Sequence, residues 1–113
     1  MVTLMALYRR PSDEAGFLSY YEQVHVPLAL KMPGMLSLSH GRVSRDLTGD
    51  GSVFYMAIMT FPDHPTLEQA LTSPEGQAAS RDVSHFAAGL LTLVAGETHE
   101  ESAGDWKGEG SRV

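Results

Sequence analysis

Residues 53–61 read VFYMAIMTF, a run of aromatic, branched and thioether side chains suited to an extended strand. Alternation along a strand sends Phe54, Met56 and Ile58 to one side and Tyr55, Ala57, Met59 and Phe61 to the other. Both sides are apolar. An antiparallel strand in a two-layer domain ordinarily keeps one side wet, and a single layer of helices covers only one. The second side therefore needs another cover. A partner's sheet supplies it, so the pattern predicts a homodimer.

The flanks extend this reading. DLTGDGS (46–52) is a hairpin loop; no helix follows its glycines, so it is no phosphate cradle. Before it, 35–45 forms a strand with Leu36, Leu38, His40 and Arg42 on one face and Ser37, Ser39, Gly41 and Val43 on the other. After Pro62 come two helical pieces, TLEQALTS and PEGQAASRDVSHFAAG. Val83, Phe86 and Ala87 form the apolar side of the second, and Gly89 ends it. LLTLVAG (90–96) is the last strand.

At the other end VTLMALY (2–8) is a strand closed by Arg9, Arg10 and Pro11. Ser12 suits a helix cap, and Asp13 and Glu14 suit the positive end of the helix dipole. Phe17, Tyr21, Val24 and Leu28 then form one apolar stripe. Pro27 removes an amide donor, so the helix kinks or ends near His25 and resumes over 28–31. Pro33-Gly34 stops it. The order is β-α-β-β-α-β: an α+β, ferredoxin-like chain with a four-stranded antiparallel sheet and helices on one face. With its second apolar face, the expected assembly is a dimeric α+β barrel. The domain spans 1–97, and 98–113 is a polar, glycine-rich tail that Trp106 is expected to anchor.

A chain of 113 residues has room for one core. Its net charge of −6 repels phosphate backbones and anionic lipid, which argues against nucleic acid and membrane partners. The absence of cysteine excludes disulfides, thiolate catalysis, cysteine-ligated zinc and iron–sulfur clusters. The histidines at 25, 40, 64, 85 and 99 form no helical i,i+4 pair, so no metal site is expected. G-x-S-x-G is absent. The N-terminal apolar run precedes its arginines, the reverse of a signal peptide, and no apolar run reaches the roughly 18 residues of a membrane span. The expected location is the cytoplasm.

His25 borders the apolar stripe. Its ring is either a general base or acid near neutrality, or a packing histidine that satisfies a carbonyl freed by Pro27. Spacing alone favours packing. His40 is either a second polar group in the same cavity or a surface or interface residue. Tyr8 and Tyr21 offer phenol hydroxyls to a ligand, or pack as core rings with wet tips. Arg9 and Arg10 read as strand-end charges. A haem ligand through His25 or His85 is the cofactor alternative to none.

Particular segments are also familiar. LYRRP (7–11), F-x-x-Y-Y-x-x-V-H-V-P-L-A (17–29), MPGM (32–35), GRV (41–43), F-P-D (61–63) and S-P-E-G-x-x-A-x-x-D-x-x-x-F (73–86) resemble the EthD family of dimeric α+β barrels. The resemblance covers roughly residues 2–97, and H-x-P-L after Y-R-R-P is its specific part. It implies the same fold and dimer, and marks His25 as the candidate catalytic residue. Asp82 and Phe86 match the later segment, where a helix-face salt bridge and a core ring are the plain readings. Phe86 joins Tyr8, Tyr21 and His40 as candidate substrate-binding residues. About activity it implies a small hydrophobic organic molecule, transformed by isomerisation, dehydration or cofactor-free oxidation. The alternative is a non-catalytic accessory protein beside a partner oxidoreductase such as a cytochrome P450 system.

Overall fold

The computed structural model describes residues 1–104. The expectation for Trp106 lies outside them. The elements are β1 (Val2–Arg9), α1 (Glu14–Tyr20), a π turn (Tyr21–His25), α2 (Val26–Ala29), β2 (Ser37–Arg42), β3 (Val53–Phe61), α3 (His64–Thr72), α4 (Pro74–Phe86) and β4 (Leu91–Glu97). The sheet order is β2-β3-β1-β4, antiparallel throughout. This is the ferredoxin-like α+β arrangement that the patterning predicted. β2 is shorter than expected; Leu36 is 60% exposed and joins the sheet only through its amide, bonded to the Thr60 carbonyl at 2.7 Å.

Register fixes the two faces. Val2, Leu4, Ala6 and Tyr8 pair with Phe61, Met59, Ala57 and Tyr55, and these buried residues face the helices. One part of the strand 53–61 departs from simple alternation. Arg9 pairs with Val53 while Tyr8 pairs with Tyr55, so Phe54 is the extra residue of a bulge. It turns inward beside Tyr55 and packs on Phe17, ring centroids 5.7 Å apart. On the outer face Met5 pairs with both Ile58 and Val94, and Leu7 with Met56. No helix among the described residues covers them: Met56 is 38% and Val94 52% exposed.

The first helical region departs from its predicted stripe. Phe17, Tyr21, His25 and Ala29 are buried, whereas Val24 is exposed and Leu28 half-buried. In an α-helix each step of four residues overshoots a full turn by about 40°, so three such steps would drift about a third of the way around. The π turn reverses that drift: Val26 N–H bonds the Tyr21 carbonyl, five residues back. It sits just ahead of Pro27, which lacks an amide hydrogen and crowds the turn before it. The cap is also one residue later than expected. The Asp13 carboxylate, not Ser12, accepts from Gly16 N–H at 3.0 Å.

α3 and α4 meet at Ser73, whose hydroxyl accepts from Gly76 N–H at 3.0 Å. Any Cβ on Gly76 would lie 2.0 Å from the Ala70 carbonyl oxygen. Only glycine permits this approach, which sets the direction of α4 across the sheet. Among the described residues no helix is long and apolar enough to cross a membrane.

Candidate active site

α4 and the kinked α1–α2 helix lie side by side on the inner sheet face, and the candidate site forms where they touch. Asp82, on α4, accepts two hydrogen bonds. Tyr20 donates its hydroxyl to Oδ1 at 2.5 Å, and His25 donates Nδ1–H to Oδ2 at 3.0 Å. The His25 and Asp82 side chains are only 7% and 10% exposed. An ionised carboxylate can only accept, so the Nδ1 nitrogen carries the hydrogen; in the neutral ring Nε2 then keeps its lone pair. The His25 ring packs against both Tyr21 and Phe86, with centroids 5.2 and 5.1 Å away. The ring is therefore fixed by a carboxylate and by two aromatic neighbours. The partner of Nδ1 is Asp82 rather than a carbonyl freed by Pro27.

His25 opens onto a cavity of about 470 Å³ between α4 and the sheet. Leu4, Ala6 and Tyr8 form its floor, Ala79 and Val83 one wall, and Leu91 and Leu93 its β4 side. Leu93 is 48% exposed, so this side is open. Its size lies within the range of small-molecule pockets. A second hollow of similar volume, about 480 Å³, is lined by Arg10, Asp13, Tyr20 and His85 among others, but not by His25.

The tyrosines beneath the site are held neutral. Burial pushes the Tyr8 phenol up to about 12, with the neighbouring Tyr21 hydroxyl opposing that rise. Burial raises Tyr21 as well, and burial raises Tyr55. Tyr20 is raised chiefly by its bond to Asp82. Tyr8, which lines the cavity, thus keeps its phenolic proton well above neutral pH.

The residues singled out from sequence fall in different places. His25 and Tyr8 line the cavity; Tyr21 and Phe86 do not, but pack against the His25 ring. His40 is half-buried and does not line the cavity; its ring packs on Tyr21, centroids 5.5 Å apart, and its Nδ1 is bonded to the Tyr55 hydroxyl at 2.7 Å. His25 and His85 line different hollows. Arg9 and Arg10 are exposed, with Arg9 bonded to the Gly89 carbonyl and Arg10 to Glu14. No group of three metal-ligating side chains occurs among the described residues.

Sequence reasoning named Asp82 for a salt bridge but not its pairing with His25, and it missed the bond from Tyr20. A signal existed for Asp82: it lies four residues before Phe86 and so shares that residue's helix face. Nothing comparable marked Tyr20.

A ferredoxin-like chain with a histidine–aspartate pair over an apolar cavity is thus defined. The chain belongs to the EthD family: the EthD domain matches residues 9–89. It is 32% identical over 94 residues, 83% of this chain and 91% of the relative, to an uncharacterised 11.0 kDa protein from the thcB–thcC intergenic region of Rhodococcus erythropolis. The crystal structure of an ethyl tert-butyl ether D (EthD) family protein from Bacillus halodurans is 37% identical. It superposes with a TM-score of 0.83, covering 88% of this chain and 99% of that one. More distant chains share the fold. A cofactor-independent oxygenase of Streptomyces nogalater, in a mutant form, is 21% identical, with TM-score 0.62 over 92% of this chain and 97% of its own. A dimeric ferredoxin-like protein from Jannaschia is 17% identical, with TM-score 0.65 over 87% of this chain and 100% of its own.

Proposed function

We propose that this protein binds a small hydrophobic organic molecule in the cavity beneath α4 and transforms it by proton transfer, with His25 as the base. One observation carries the reading: a buried imidazole anchored through Nδ1 by Asp82, its ring lining an apolar cavity. In such a place Nε2 accepts a proton from a weakly acidic hydrogen on the ligand. The imidazolium that forms is matched at once by the carboxylate behind it. Tyr8 offers a neutral hydroxyl to oxygen on the same ligand. Isomerisation needs nothing more. That a distant chain of this fold is a cofactor-independent oxygenase supports organic chemistry without a cofactor, but fold alone chooses no reaction.

The working assembly in this proposal is a homodimer with the outer sheet face as its interface. The uncovered Met5, Leu7, Met56, Ile58 and Val94 support it, as does the dimeric state of the Jannaschia protein. The sequence reading of a cytoplasmic location belongs to the same proposal.

The first test is native mass spectrometry of protein purified from its own host, with identification of anything released. Turnover of that molecule is then compared for the wild type and His25→Ala. Loss of turnover with affinity retained within about tenfold is the expected result. Full turnover in the variant sinks the proposal. Binding without turnover by the wild type would make this a binding or accessory protein.

A further inference from the structure

We infer that the cavity selects an uncharged ligand over its anionic counterpart, an inference that rests on reading this cavity as the ligand site. Among the described residues its lining holds no lysine, arginine, aspartate or glutamate. Its polar lining is His25, Tyr8, Ser80 and Ser84, all able to meet an uncharged oxygen. Arg9 binds the Gly89 carbonyl and the Thr92 hydroxyl at the rim, but it is exposed and its charge is screened by water.

A ligand anion would leave water here with no cation to receive it. His25 does not supply one. Unprotonated, it stands in front of the Asp82 carboxylate, and the pair repels an anion. Protonated, its charge is already matched by Asp82 at 3.0 Å. The positive charge that matters arises only during reaction. A C–H bond beside a ligand carbonyl breaks, its proton goes to Nε2, and its electron pair moves onto the carbonyl oxygen. The enolate so formed lies against an imidazolium created in the same step; return of the proton to either end of the enolate restores the base. The anion thus arises only after the uncharged ligand has entered, and it lasts only while its proton sits on His25. The ligand class that follows is an uncharged, largely apolar ketone with an enolisable hydrogen.

The test uses two probes of matched shape, 2-acetylnaphthalene and 2-naphthoate, titrated into the wild-type protein near neutral pH and followed by ligand-detected NMR. The ketone is expected to bind about tenfold tighter or more. Equal or tighter binding of the naphthoate overturns the inference, as does failure of both probes to bind. Ser84→Arg, on an exposed part of the lining, should narrow or reverse the preference. Ala79→Leu, which fills the cavity, should weaken ketone binding, and unchanged ketone affinity in a folded Ala79→Leu protein would place the binding elsewhere and overturn the inference. Deuterium uptake from D₂O into the acetyl group separates the two claims. Preference without uptake removes the proton-transfer reading alone; uptake without preference removes the charge selection alone.

Discussion

Asp82 does for His25 what no residue on the histidine's own helix does: it sets which ring nitrogen carries the hydrogen. Asp82→Asn keeps the shape but replaces a pure acceptor with a group that also donates, so the imidazole is free to present the wrong tautomer. In the proposed reaction this variant should lower turnover by about 10²-fold or more while ligand affinity changes little. Unchanged turnover would reduce Asp82 to packing. Asp82→Ala also leaves a buried Nδ1–H without its partner, which should cost about 1–3 kcal/mol of stability by urea denaturation. Tyr8 makes a prediction about pH. Its pKa rises from 10.0 to about 12 on folding, so the folded state holds the phenolic proton more tightly than the unfolded chain does. That contribution to stability is whole below pH 10 and is lost as pH rises through about 12. The shift corresponds to about 2–3 kcal/mol. Urea midpoints should fall between pH 10 and 12, and less steeply in Tyr8→Phe; equal slopes would refute the assignment. His25 was legible as a candidate because a histidine in an apolar run is conspicuous. Its partner was not, because 57 residues separate the two and only the fold joins them.

Strand 53–61 declared itself because a two-residue period needs only its own sequence to be read. The bulge that turns Phe54 inward did not, since it depends on how β3 meets β1. The stripe through 17–29 failed for a related reason. A 3.6-residue period selects Val24 and Leu28, and only the wider winding at Tyr21–His25 brings His25 and Ala29 to the core instead. The histidine that the sequence placed at the stripe's border is therefore inside it. At the α3–α4 junction the deciding residue is Gly76. A methyl there meets backbone rather than a movable side chain, so Gly76→Ala should destabilise by about 1–3 kcal/mol and shift α4 away from α3. Because α4 carries Asp82, the variant should also lose activity out of proportion to its stability. A stability unchanged from wild type would mean that the junction yields more readily than its geometry implies.

A sheet with one face under helices and the other bare and apolar is half of a structure. The uncovered residues run across β4, β1 and β3 as one patch. Met5, on a central strand, has neighbours on both sides, so Met5→Arg should place a charge in the middle of the proposed interface. In sedimentation the wild type is expected as a dimer at micromolar concentration and Met5→Arg as a folded monomer of lower thermal stability. A wild-type monomer under those conditions would contradict the assembly. Stability of the wild type should also rise with protein concentration, because dissociation and unfolding are linked. The cavity has a different relation to the assembly: the proposed base and the carboxylate behind it lie on the same chain. In genetic terms, an inactive His25 allele expressed beside a normal copy should be recessive. Mixed dimers would keep one working site each, and a cell carrying both alleles would lose activity only in proportion to gene dosage.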